Sequence, residues 1–208
     1  MKKCESRYQK GRRRRTKRLS SNRFVALNKY ACLAEKGVFF DFLEENMEGL
    51  LALNPALCEH MAEQNCSIKY HVVMKDERES GLREVLNLGH TVGRAIETVS
   101  DYRLLHGEAV SIGLVAQLHL ACRLGYVTKE QADRVTALLE RAELPVQIPD
   151  YIDREALVRK LYTDKKVKNG QLRFVVQKGI GDIVEFEGGS FATPVTEETA
   201  REIIMEMR

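Results

Sequence analysis

The sequence predicts a mainly α domain with a small β-hairpin, and three observations carry that prediction. Apolar residues return at helical spacing through most of residues 24–162. One of those stretches, Val110 to Leu124, is almost continuously apolar, as expected of a central helix buried on all sides. Strand-like alternation is confined to residues 172–186.

Taken in order, Phe24, Leu27, Tyr30, Ala31 and Ala34 share helical spacing until Gly37 supplies a stop. Val38–Leu43 and Met47–Leu53 suggest another short helix. Asn54-Pro55 then sets a capping side chain ahead of a proline at the first helical position. The helix that follows is expected from Pro55 to Met74, with Leu57, Met61, Cys66, Ile68 and Val72 on or near its buried stripe. Beyond the polar stretch Lys75 to Ser80, Leu82 to Val99 reads as one helix with a wide apolar stripe. Gly89 and Gly93 weaken it, which predicts a close-packed neighbour. Thr128 and Gln131 match a capping box ahead of Val135, Leu138 and Leu139, and Leu144-Pro145 ends that helix. Asp153 to Tyr162 is a further short helix. Leu172, Phe174 and Val176 are expected to pair with Ile183, Val184 and Phe186 across Gly179 and Gly181. Glu197 to Met207 closes the chain as an amphipathic helix.

The 208 residues, 44% apolar and 30% charged, suit one hydrophobic core with appendages. No apolar run approaches the roughly 20 residues of a bilayer-spanning helix, and no signal-type apolar segment follows the N-terminal charges. Neither membrane insertion nor secretion is indicated. Five cysteines without CxxC spacing argue against a disulfide framework or a thiolate zinc site, so a cytoplasmic location fits. The net charge of +3 is split: residues 1–24 hold eleven Lys or Arg against Glu5 alone, and the remainder holds 22 basic against 29 acidic residues. The chain therefore divides into a basic arm, 1–24, expected to be disordered, and a body, 25–208. Such an arm can neutralise phosphates, but the body offers no aromatic platform for bases, so a nucleic-acid partner ranks last.

Chemistry concentrates between Lys69 and His106, where Lys69, Lys75, Asp76, Glu79, Arg83, Asn87, His90, Arg94, Glu97 and His106 interrupt the packing pattern. On a continuous helix, Arg83, Asn87, His90 and Arg94 would line one face. A solvated face carrying one satisfied histidine is the plain alternative. Against it, Asn87-Leu88-Gly89-His90-Thr91 sets poor helix formers in mid-helix, a breach of local rules that often marks a site. His106 stands at the mouth of the most buried helix, where the dipole disfavours its cation and keeps a neutral imidazole available to a metal. His90 and His106 offer two nitrogens to a zinc-like ion, and a catalytic zinc takes three protein ligands plus water, so another ligand must come from elsewhere. His60, His71 and His119 read as structural or exposed.

Four separated motifs, in order and in register, resemble 3-dehydroquinate synthase. They are Lys29-Tyr30-Ala31; the string Lys69 to Glu97, with Asp76-Glu77, Glu79, Gly81-Leu82-Arg83, Leu86-Asn87, Gly89-His90-Thr91, Gly93 and Ala95-Ile96-Glu97; Leu105-His106-Gly107-Glu108-Ala109-Val110; and Asp164-Lys165-Lys166. The similarity covers about residues 28–208, the mainly helical, metal-binding C-terminal domain of that family. It implies a phosphorus-oxygen lyase of the shikimate pathway and aromatic amino-acid biosynthesis. That lyase closes 3-deoxy-D-arabino-heptulosonate 7-phosphate into 3-dehydroquinate and eliminates phosphate. The family uses NAD for a transient oxidation and Zn, or Co, as a Lewis acid on the substrate hydroxyls. Carried over by position, His90 and His106 are metal ligands. Lys29, Lys69, Arg83, Asn87 and one of Lys165 or Lys166 hold the substrate's carboxylate, hydroxyls and phosphate, and Glu79 orients its neighbours. Arg supplies a bidentate fork and Lys a point charge. The resemblance also implies a sugar-phosphate substrate and a homodimer.

Three departures from the family pattern bear on activity. Nothing before Lys29 resembles the nucleotide-binding domain, so that domain is expected to be absent, the match to begin as in a truncated form, and the isolated chain to be inactive. Ala26 stands where the family has its acidic metal ligand. Arg94 replaces the second histidine of the family's Gly-His-Thr-x-Gly-His pattern, placing a permanent cation about one turn from His90. Two other readings stay open: a related cyclase with a different substrate, and a non-catalytic binding protein that uses the basic arm.

Overall fold

Asn54 and Pro55 do locally what the sequence predicts: the Asn54 side chain accepts from the backbone N–H groups of Ala56 and Leu57 and starts a 21-residue helix. The computed structural model describes residues 37–78, 81–163 and 171–207. Among these residues the elements run α1 (Val38–Leu51), α2 (Pro55–Lys75), a 3-10 turn (Leu82–Asn87), α3 (His90–Val99), α4 (His106–Arg123), α5 (Lys129–Arg141), α6 (Arg154–Thr163), β1 (Leu172–Val175), a second 3-10 turn (Glu187–Gly189), β2 (Ala192–Val195) and α7 (Glu197–Glu206). The predicted arm at 1–24 and the helix beginning at Phe24 lie outside the described residues.

The centre is α4, in which every residue from Gly107 to Leu118 except Glu108 is buried. Burying each of its Leu and Ile side chains contributes about 1.5–3 kcal/mol, and this orders the rest of the molecule around it. Helix α3 crosses it most closely, α5 and α7 flank it, α6 lies against α3, and α1 packs on both α2 and α5. The crossing of α3 and α4 is made by glycines. A Cβ on Gly113 would collide with the Gly89 carbonyl and lie 2.8 Å from the Gly93 nitrogen, and one on Gly93 would lie 3.0 Å from the Val110 Cα. The close-packed neighbour expected at Gly89 and Gly93 is thus α4 itself.

Several elements depart from the sequence pattern. The short helix expected over Val38–Leu43 and Met47–Leu53 runs unbroken from Val38 to Leu51, because Phe39, Phe40, Leu43, Met47 and Leu50 share one buried face. Helix α2 buries only Met61 and Ile68; Leu57 and Val72 are half-buried and Cys66 faces outward. Leu82–Val99 is not one helix. Gly89 has φ +77°, a left-handed conformation that favours glycine, and it divides a 3-10 turn from α3. Nor do residues 183–186 supply the partner of β1. That partner is β2, antiparallel, with Leu172 opposite Val195 and Val175 opposite Ala192. The intervening chain folds back through the Gln177–Ile183 and Phe186–Ser190 bridges. Pro194 obscured this strand in the sequence; it is tolerated because β2 is an edge. Among the described residues no helix is long and apolar enough to cross a membrane.

Candidate functional site

The loop that leads into the site is organised by one buried carboxylate. Asp76 ends α2, and its Oδ2 accepts from the backbone N–H of Gly81 at 3.0 Å and of Arg83 at 2.8 Å. That fixes the start of the 3-10 turn, whose Arg83 donates through Nη1 to the Glu77 carbonyl at 3.3 Å. Glu84 anchors the same turn to the β-region by accepting from Ser190 Oγ at 2.9 Å and from the Phe191 N–H at 3.0 Å. Arg83 and Asn87, both half-buried, are thereby held on a short rigid segment directly before His90. The expected single stripe of Arg83, Asn87, His90 and Arg94 does not form, because the break at Gly89 changes the direction of the chain. Arg94 follows His90 on α3 and is exposed.

His90 is the first residue of α3 and His106 the first residue of α4, so the glycine crossing carries both rings. Their centroids stand 5.2 Å apart, with ring planes inclined at 59°. His90 donates from Nδ1 to the Leu88 carbonyl at 3.0 Å. His106 donates from Nδ1 to Glu97 Oε2, also at 3.0 Å; the imidazole is 54% exposed and the carboxylate 17%. Each neutral ring is therefore the tautomer whose lone pair sits on Nε2. Helix α4 is held in place behind His106 by Glu108, whose Oε2 accepts from the Leu105 N–H at 2.8 Å.

This donor set fits half of a metal site. Two imidazoles bound through Nε2 to one tetrahedral ion at Zn–N distances of about 2.0–2.1 Å have centroids about 5.2 Å apart, which is the separation found. A ligating histidine ordinarily donates its other N–H to a carboxylate or a backbone carbonyl, and both kinds of partner are present. Among the described residues no group of three His, Cys, Asp or Glu side chains converges on a common point, so the two nitrogens fall one ligand short of a catalytic zinc set.

Other predicted site residues are placed less directly. Lys69 is exposed on α2, the helix that packs against the 3-10 turn. Lys29, Glu79, Lys165 and Lys166 lie outside the described residues. His60 is exposed and meets the Phe42 ring edge-on, and His71 and His119 are exposed, so none of the three joins the pair. The sequence reading gave no role to Glu97 or Gln117. A carboxylate nine residues before His106 has no periodic relation to it. The one amide within the apolar run of α4 was a visible signal for Gln117.

Comparison with known proteins gives a consistent family assignment. The model of the 3-dehydroquinate synthase C-terminal family matches residues 26–167, more than half of the chain. A 3-dehydroquinate synthase from Teredinibacter turnerae is 41% identical over 175 residues, covering 84% of this chain and 48% of that protein. One from Pseudomonas aeruginosa is 44% identical over 164 residues, covering 78% and 44%. The chain thus spans about half the length of the curated relatives it matches. Among solved structures, 2-epi-5-epi-valiolone synthase from Streptomyces hygroscopicus subsp. jinggangensis, with NAD+ and Zn2+ bound, superposes with a TM-score of 0.78 at 23% identity, over 92% of this chain and 51% of that one. A 2-deoxy-scyllo-inosose synthase complexed with carbaglucose-6-phosphate, NAD+ and Co2+ gives 0.65 at 21% identity, over 92% and 52%. These last two establish the shared fold.

Proposed function

Because this chain belongs to the 3-dehydroquinate synthase C-terminal family, we propose that its body is the metal- and substrate-binding half of a 3-dehydroquinate synthase-type cyclase. The substrate is 3-deoxy-D-arabino-heptulosonate 7-phosphate, and the ring closes with loss of phosphate. The observation that carries the reading is the histidine pair, 5.2 Å apart, with both Nδ1 atoms already committed as donors. His90 and His106 would hold the ion through Nε2, with Leu88 and Glu97 fixing the two rings. A bound divalent zinc or cobalt ion supplies Lewis acidity to the substrate hydroxyls.

The remaining chemistry is recognition of a polyanion. Arg83 presents a planar fork on a rigid turn, suited to a carboxylate or phosphate, and Asn87 on the same turn suits a hydroxyl. Lys69, Lys29 and one of Lys165 or Lys166 add point charges, and Glu79 orients them. The 208-residue chain by itself is proposed to be inactive even with NAD and zinc added, and phosphate release from the heptulosonate substrate above a buffer blank under those conditions would overturn that part of the reading.

The metal assignment has its own test. Purified full-length chain equilibrated with Zn2+ and freed of excess metal should retain close to one equivalent. His90→Ala and His106→Ala should each lower retention at least tenfold while leaving the helical circular-dichroism spectrum unchanged. Equal retention by all three proteins would refute the site. A second reading, a related cyclase with another sugar phosphate, draws on Arg94, whose exposed cation follows His90 on α3. Arg94→His in a complete enzyme should shift the substrate profile toward the heptulosonate if that reading holds, and leave it unchanged otherwise.

A further inference from the structure

We propose that Gln117 is a positioning residue for His90, acting through the backbone of Gly89; as a statement about metal binding it rests on the reading of His90 as a ligand. Gln117 lies in the most apolar helix of the molecule and is fully buried. Its Oε1 accepts from the Gly89 N–H, 28 residues away in sequence, and its Nε2 donates to the Val175 carbonyl at 2.8 Å, 58 residues away. One side chain thereby joins α4 to the break before α3 and to the end of β1.

The break needs that support. Gly89 adopts a left-handed conformation at the N-cap of α3 and provides no side-chain cap. Its N–H belongs to the short segment, Leu88-Gly89, whose Leu88 carbonyl accepts from His90 Nδ1. If the Gly89 amide turns, the Leu88 carbonyl turns with it, since the two belong to one planar peptide unit. The tautomer and ring plane of His90 then lose their reference. A buried amide in an apolar helix is costly unless both its ends are satisfied, and here both ends are satisfied by backbone groups on either side of the site. Thr91 reinforces the link by donating from Oγ1 to the Arg173 carbonyl at 3.3 Å, so β1 braces the start of α3 directly through Thr91 and, by way of Gln117, at Gly89.

The test uses the full chain and two independent readouts. In the metal-free wild type, nitrogen NMR should show His90 as a single Nδ1–H tautomer and the Gly89 amide protected from hydrogen exchange. Gln117→Met, close in volume but with neither hydrogen bond, should give a tautomer mixture and weaken Co2+ binding, followed by visible absorption, by about 10–100-fold. His106 should keep its tautomer. Gln117→Glu retains an acceptor for the Gly89 N–H, and its buried carboxyl, when protonated, can still donate to the Val175 carbonyl, so it should keep the wild-type His90 tautomer. A single unchanged tautomer and wild-type Co2+ affinity in Gln117→Met would overturn the proposal. So would a Gly89 amide that exchanges as fast as exposed loop amides in the wild type, a measurement that stands even if Gln117→Met fails to fold. If the wild type binds no Co2+ while the tautomer responds as expected, the ligand reading fails and the positioning role of Gln117 stands.

Discussion

Helices α2 and α4 are both long, yet they contribute to the molecule in opposite ways. Helix α4 is enclosed almost throughout and approaches α3 so closely that a Cβ at Gly113 would collide with backbone and one at Gly93 would be crowded by it. Helix α2 buries Met61 and Ile68, leaves Tyr70 and Met74 more than half exposed, and begins with a strong local cap at Asn54. Tertiary packing determines the first helix; capping and a few anchors sustain the second. The two histidines are placed on the packed crossing, and Lys69, proposed to meet a charged substrate group, is placed on the looser helix. Rings that share one ion need sub-ångström placement, whereas a lysine acting as a point charge tolerates motion.

The contrast predicts very unequal responses to substitutions of similar size. Gly113→Ala should have the largest effect. The added methyl meets the backbone of Gly89 and Gly93, which is not a flexible side chain and cannot step aside. Overpacking of this kind costs about 1–3 kcal/mol or more, and here the displaced backbone carries His90. Urea denaturation should show that loss, with metal retention falling alongside it. If Gly113→Ala melts within a degree or two of the wild type, the crossing is looser than described and the contrast with α2 collapses.

On α2, Asn54→Ala removes one cap and should cost about 1 kcal/mol, since the side chain accepts from the Ala56 and Leu57 N–H groups at 3.1 and 3.3 Å. Metal retention should not change, because among the described residues α2 packs against the 3-10 turn rather than against the crossing that carries the histidines. A fall in retention equal to that of Gly113→Ala would show that the two helices are coupled rather than independent. Glu97→Gln, which weakens the partner of His106 without altering packing, should leave stability within about 0.5 kcal/mol of wild type and lower zinc affinity about tenfold.

The sequence disclosed the packed part of the molecule better than the folded-back part. An unbroken apolar run can only be enclosed, so α4 was legible, and the Thr128 capping box was legible because its chemistry is local. The break within Leu82–Val99 is hidden in the sequence because helical spacing persists across Gly89, while the left-handed φ of +77° at that residue, packed against Val110 and Leu114 of α4, leaves no trace in that spacing. The hairpin partner was misassigned for a related reason. Residues 183–186 look more strand-like than Ala192-Thr193-Pro194-Val195, yet β1 pairs with the latter, the segment that directly follows Ser190 and Phe191 where Glu84 binds them. Within the proposed site, His90 stands out in the sequence by the poor helix formers around it and His106 by its place at a helix start, but Glu97 and Gln117 act across nine and 28 residues and leave no periodic trace.

The smallest expected effect compares two thiols. Cys66 is exposed on α2, and Cys122 is half-buried at the end of α4, where it donates to the Thr128 carbonyl. Burial, with a lesser contribution from Asp133, pushes the Cys122 thiol above its ordinary range. At a pH near 8 it therefore holds less thiolate than an unperturbed cysteine, and thiolate is the reactive form. Because the folded value is raised, the associated stability is present below the ordinary thiol range and is lost as pH rises through the folded value. Peptide mapping after brief iodoacetamide treatment should show Cys66 modified well ahead of Cys122, with the gap narrowing as pH rises above the ordinary thiol range. Denaturation before labelling should abolish the difference. If Cys122 reacts first in the folded chain, the C-terminal end of α4 opens more readily than its packing implies, and the rigidity attributed to this helix would apply only to the glycine crossing that carries the histidines.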